Sequence, residues 1–175
     1  EKLNNYSFKL YFWKPINQEV LFDNLSIKTK RGNELIQFPF NIVEDGYVIA
    51  KTGQLASVRT GLSKEVYRSF PASLMMNPNE EFAAEIRELN LKENVQVNLS
   101  VYTFGPVKAG IVISNELDYY QFITLRELDP KTNWQRISGE LKLPTNLKSY
   151  TFKIYLWNPE AEKVYFDDLQ VNYAK

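Results

Sequence analysis

A chain of 175 residues has room for one well-cored domain and is too short for two ordinary ones. Its 21 Lys+Arg balance 21 Asp+Glu, so no net field recruits nucleic acid or an anionic membrane surface. With no Cys and no His, it lacks most of the side chains that hold zinc, copper or iron and the usual base and nucleophile of hydrolytic triads.

Tyr and Phe, at 11 each against two Met, favour strands, and the first predicted element is a pair of them. YSFKLYFWKPINQEVLFDNLSI, Tyr6 to Ile27, places Phe8, Leu10 and Phe12 on one side of a strand, which breaks at Pro15 and returns through Val20 and Phe22. Further on, Asp45-Gly46 marks a start, followed by strand-like YVIAK, a TGQ turn, ASVRT, and VYRSFPASLMM up to Asn77-Pro78-Asn79. NPNEEFAAEIRELN carries two periods: Phe82, Ile86 and Leu89 at helical spacing behind an Asn cap, and Phe82, Ala84 and Ile86 at strand spacing. A strand is the expectation, because the segment lies between two strong strands with little room for a crossover.

Val95, Val97, Leu99 and Val101 then alternate with Gln96, Asn98, Ser100 and Tyr102. A strand from Asp118 offers Tyr120, Phe122, Thr124 and Arg126 on one side, and Ile137, Leu141 and Leu143 follow Trp134 at compatible spacing. The last element is YTFKIYLWNPEAEKVYFDDLQV, Tyr150 to Val171. In it Phe152, Ile154 and Leu156 point one way while Thr151, Lys153, Tyr155 and Trp157 point the other, and Asn158-Pro159-Glu160 turns the chain into an antiparallel partner, Val164 to Tyr173. Short strands separated by turns predict an all-β fold, an antiparallel β-sandwich.

The first and last elements are copies. At a constant offset of 144 residues, ten of 22 aligned positions are identical, among them Tyr11 with Tyr155, Trp13 with Trp157, Phe22 with Phe166 and Asp23 with Asp167. That spacing is the size of a domain and far beyond a solenoid repeat, so the reading is tandem duplication. Residues 1–28 are then the C-terminal hairpin of a preceding copy and 29–175 a complete domain; a single domain with two related hairpins is the alternative. No apolar run approaches the length of a bilayer span and no charged-then-apolar segment opens the chain, which reads as a mature or excised soluble piece.

The stretch from Gly46 to Tyr173 resembles the carbohydrate-binding-module type of galactose-binding-like β-jelly roll. The residues that carry the resemblance are NWQRISGELKLP, with Trp134 opening a strand that runs to Pro144, and the closing strand Phe166-Asp167-Asp168-Leu169. The chain departs at the front, where QFPFNIVEDGY stands in place of the family's Asn-Phe-Glu strand. The resemblance implies a non-catalytic, extracytoplasmic module of a larger protein, secreted, periplasmic or on the cell surface, that binds polysaccharide or another glycan beside neighbouring domains of the same polypeptide. It also implies Asp168 as a ligand of a structural calcium, a metal that takes six to eight oxygens. The first hairpin has Asn24 there, and the alternative is that Asp167 and Asp168 accept backbone N–H bonds and hold no metal.

Glycan binding needs aromatic faces for pyranose rings and planar polar groups for hydroxyls. If the strands from Val95 and Asp118 adjoin on one sheet, the ligand contacts are Asn98, Tyr102, Tyr120 and Arg126. A glycosidase needs two carboxylates held across a cleft, and adjacent acids on a strand, such as Asp167 and Asp168, are expected to point to opposite faces. The rival function, from another class, is a structural spacer or protein-interaction module with no sugar ligand.

Overall fold

The computed structural model describes residues 33–38, 40, 46–50, 55–80, 82–105, 108–160 and 162–174. The N-terminal hairpin, on which the duplication rests, lies outside them. Described residues form thirteen strands and no helix: β1 (Asn33–Phe38), β2 (Tyr47–Ile49), β3 (Leu55–Val58), β4 (Gly61–Ser63), β5 (Ser73–Met76), β6 (Phe82–Asn90), β7 (Gln96–Phe104), β8 (Gly110–Ser114), β9 (Tyr120–Ile123), β10 (Arg126–Leu128), β11 (Gln135–Lys142), β12 (Thr151–Trp157) and β13 (Val164–Ala174). Two antiparallel sheets result. Sheet A runs β10-β11-β7-β13-β5-β4, with β1 also paired to β13, and sheet B runs β2-β3-β6-β12-β8-β9.

Alternation decides which side of each strand enters the core. Val97, Leu99 and Val101 of β7 and Leu169 and Val171 of β13 face Phe152, Ile154 and Leu156 of β12 and Ile86 of β6, all of them buried. At roughly 1.5–3 kcal/mol for each large apolar side chain removed from water, this layer is the main source of stability. Gly139 of β11 marks a close approach of the two sheets, since a Cβ there would lie 2.8 Å from the Ile123 side chain of β9.

The ending element corrects the sequence reading in one respect. β12 and β13 are not a hydrogen-bonded hairpin: β12 pairs with β6 and β8, whereas β13 pairs with β1, β5 and β7. Both strands carry a strongly apolar face, and both faces are buried when the chain arches over the core and gives one strand to each sheet. Asn158 closes the arch, its Nδ2 donating to the Glu162 carbonyl at 2.8 Å and its Oδ1 accepting from the Glu160 N–H at 3.1 Å.

The 82–90 segment is a strand, and the structure explains its helical look. Opposite β12, Leu89 pairs with Phe152 and Ile86 with Ile154, so three residues of β6 face two of β12. This is a β-bulge, with Glu88 in the left-handed region at φ 56°. It brings two apolar residues three apart onto the same face, as one turn of helix also does.

Candidate functional site

β7, β11 and β13 lie side by side in sheet A, and their outward side chains form a grid of polar groups. In one row Asn98 stands opposite Glu140 of β11 and Asn172 of β13; in the next, Ser100 stands opposite Ser138 and Gln170. Rows on one strand face are about 7 Å apart and strands about 4.8 Å. These six residues, with Arg136, line a groove of about 520 Å³ whose rims include Leu35 of β1 and Leu125, 47% and 71% exposed. Arg136 and Glu140 stand about 13 Å apart along β11. Arg136 Nη2 donates to Ser100 Oγ at 3.4 Å and faces Glu127 across the β10–β11 pair, while Glu140 Oε1 accepts from Gln96 Nε2 at 2.6 Å. Among the described residues of the lining, Glu140 is the single carboxylate, so among them no pair of acids faces across the groove.

The four ligand contacts expected from the sequence divide. Asn98 lies in the groove, and Tyr102 is on the same face one row beyond Ser100, opposite Arg136. One face of its ring is covered by the Arg68 guanidinium, 3.5 Å from the ring centroid. Tyr120 is 52% exposed but belongs to β9 in the other sheet. Arg126 begins β10 in sheet A and pairs with the fully buried Ile137, which puts its side chain on the inner face. There it donates through Nη1 to Gln135 Oε1 at 2.9 Å and through Nη2 to the Ala109 carbonyl, and burial lowers its pKa. The single strand read from Tyr120 to Arg126 is two strands: β9 ends at Ile123 and the chain crosses to sheet A before β10, so the two residues never share a face.

Arg136, Ser138, Glu140, Gln170 and Asn172 were not among the candidates. Their signal was present as the complement of the core positions Ile137, Leu169 and Val171, but nothing local says that β11 and β13 flank β7.

Beyond Tyr102 the sheet bears a second cluster. Opposite β7, Asp167 pairs with Tyr102 and Gln170 with Ser100, so β13 carries a bulge, with Asp168 at φ 52°. The expectation that these adjacent acids point to opposite faces is therefore overturned: the extra residue turns both carboxylates toward the loop between β4 and β5. Asp167 is fully buried, its Oδ2 accepting the N–H of Arg68 at 2.9 Å and of Ser69 at 2.8 Å, and its Oδ1 accepting the N–H of Asp168 at 2.8 Å. Burial pushes its carboxyl up to about 6, against those bonds and with the help of the neighbouring Asp168 charge. Asp168 Oδ2 accepts from Arg68 Nη1 at 2.9 Å and from Ser69 Oγ at 2.6 Å. A guanidinium thus sits against the carboxylate to which the resemblance assigns calcium, and no three acidic side chains converge on a metal position among the described residues. The described residues do not fit that ion.

No family model matches the chain, and no curated protein matches it either. Solved structures do. The CBM22-1 xylan-binding domain of Paenibacillus barcinonensis Xyn10C superposes with a TM-score of 0.57 at 15% identity, covering 84% of this chain and 99% of that one. The CBM22-1–GH10 modules of Clostridium thermocellum endo-1,4-β-D-xylanase 10B, complexed with xylohexaose, give a TM-score of 0.50 at 14% identity over 80% of this chain and 28% of that one. The likeness shows the fold, the all-β jelly-roll sandwich of carbohydrate-binding modules.

Proposed function

We propose that this chain is a non-catalytic glycan-binding module and that a polysaccharide lies in the groove on the outer face of sheet A. The observation that carries this reading is the grid itself: three amides and the Ser138 hydroxyl at strand spacing on a pre-formed surface, over a buried Ser100 that is bonded to Arg136, with donors and acceptors suited to a row of sugar hydroxyls. The fold supports it, since one structural neighbour is described as xylan-binding and another is bound to xylohexaose. The described residues contain no helix long and apolar enough to cross a membrane. We place the module outside the cytoplasm, next to other domains of the same polypeptide, with 29–175 as the complete unit.

Affinity electrophoresis tests the reading. The native protein should be retarded in gels that contain xylan or another plant polysaccharide, and Asn98→Ala combined with Gln170→Ala should run free. Tyr120→Ala, on the other sheet, should be retarded as strongly as the native protein. No retardation by any polysaccharide would sink the proposal and leave the spacer or protein-interaction module in its place.

A further inference from the structure

The corner at Asp167 and Asp168 is built as tightly as the groove, and glycan binding does not account for it. A cation placed there would do two things: offset acids that the bulge forces together, and tie the β4–β5 loop to β13, about a hundred residues away in the chain. The Arg68 guanidinium does both. Besides its 2.9 Å bond to Asp168 Oδ2, its Nη2 lies 3.6 Å from Asp129 Oδ2 in the β10–β11 loop, and its plane covers Tyr102. Planar, always charged and able to stack on an aromatic ring while forking to two carboxylates, arginine suits this position as lysine does not.

We infer that Arg68 is the resident cation of this corner: it takes the part that the resemblance gives to calcium, so the fold holds the corner without a metal, and it positions Tyr102 at the head of the groove. Three segments distant in sequence, the β4–β5 loop, the β10–β11 loop and the bulge of β13, meet on one side chain. The backbone N–H groups of Arg68 and Ser69, bonded to buried Asp167, lock the loop that presents it.

Thermal melts of the native protein in a strong chelator and in excess calcium should coincide. A lower melting temperature in chelator, a higher one in calcium, or a saturable calcium titration would overturn the inference, and these measurements need no variant to fold. Arg68→Met should lower the melting temperature by about 10 °C, as expected for removing one partner of a part-buried ion pair. It should also speed amide exchange at residues 68 and 69 ahead of the rest of the sheet, with Arg68→Lys intermediate in both. A variant that melts and exchanges like the native protein would sink the idea equally. One arm rests on the groove reading: polysaccharide affinity should fall in Arg68→Met and recover in part in Arg68→Lys, and equal affinity in all three proteins would remove the positioning role. If the native protein binds no polysaccharide, the groove reading fails, and the melts and exchange still decide the role of Arg68.

Discussion

The two outer faces of the sandwich solve opposite problems. On sheet B two aromatic pairs cover each other, Phe82 meeting Tyr155 edge-to-face at 5.0 Å and Phe122 lying against Trp157 at 4.9 Å, while Tyr47 and Tyr120 stay exposed. The charges beside them are also paired, Glu85 with Arg87 at 2.7 Å and with Lys153 at 3.8 Å. On sheet A the amides of the groove and the Ser138 hydroxyl are spread over three strands and partly exposed, with Ser100 buried among them. Both faces thus carry packed aromatic rings, sheet A through Phe104 with Trp134 and Tyr165, and what sets sheet A apart is the row of amides beside them.

The strongest way to break this contrast is Trp157→Ala. Removing a ring that packs on Phe122 should cost about 3 kcal/mol in denaturant unfolding while leaving polysaccharide affinity unchanged; a large loss of affinity with little loss of stability would move the site to sheet B. Next in size is the pH dependence from Asp167 under the sheet A loop. Its folded pKa, about 6, lies above the ordinary value of 3.8, so the folded state binds the proton more tightly. Its contribution to stability is therefore complete below about pH 4 and is lost as pH rises through 6. The loss is about 2–3 kcal/mol. The native protein should gain stability relative to Asp167→Asn as pH falls across that window, and melts that run parallel would refute the assignment.

Gly110→Ala should follow, at about 2 kcal/mol, because a Cβ there would run into the Ile123 carbonyl and lie 2.6 Å from the Phe122 ring, opening the aromatic cover of sheet B. Single changes in the groove act on binding alone: Asn98→Ala or Ser138→Ala should weaken polysaccharide binding by about 1 kcal/mol, roughly fivefold, with stability within about 0.5 kcal/mol of native. Isothermal titration paired with melts separates the two effects. The smallest effect belongs to Lys153→Ala at the partly exposed ion pairs with Glu116 and Glu85, about 0.5 kcal/mol or less and reduced by salt.

Much of the core was legible before any contact was known. The alternation of Val97, Leu99 and Val101, and of Phe152, Ile154 and Leu156, appears in the structure as buried faces, because the two-residue period is a local property of each strand. The 82–90 strand was legible too, although its bulge imitated a helix. The pairing of β12 with β13 was misread, since two apolar faces separated by a turn are equally consistent with a hairpin and with an arch over the core. Of the four candidate contacts, Asn98 and Tyr102 share a face because both follow the alternation of β7; Tyr120 and Arg126 were grouped with them because a change of sheet at Thr124 and Leu125 leaves no local mark.

What the amino-acid order determined by itself is the all-β class, the inward and outward sides of the long strands, and the absence of the thiol and imidazole chemistry that Cys and His supply. What only the tertiary structure decided is which outward sides become neighbours. Ser100, Ser138 and Gln170 form a row, and Arg68 reaches Asp168, through pairings between segments tens to a hundred residues apart. Such registers are set by the joint fit of two sheets around one core and by bulges that shift the phase of a strand, and neither is encoded in the period of any single segment.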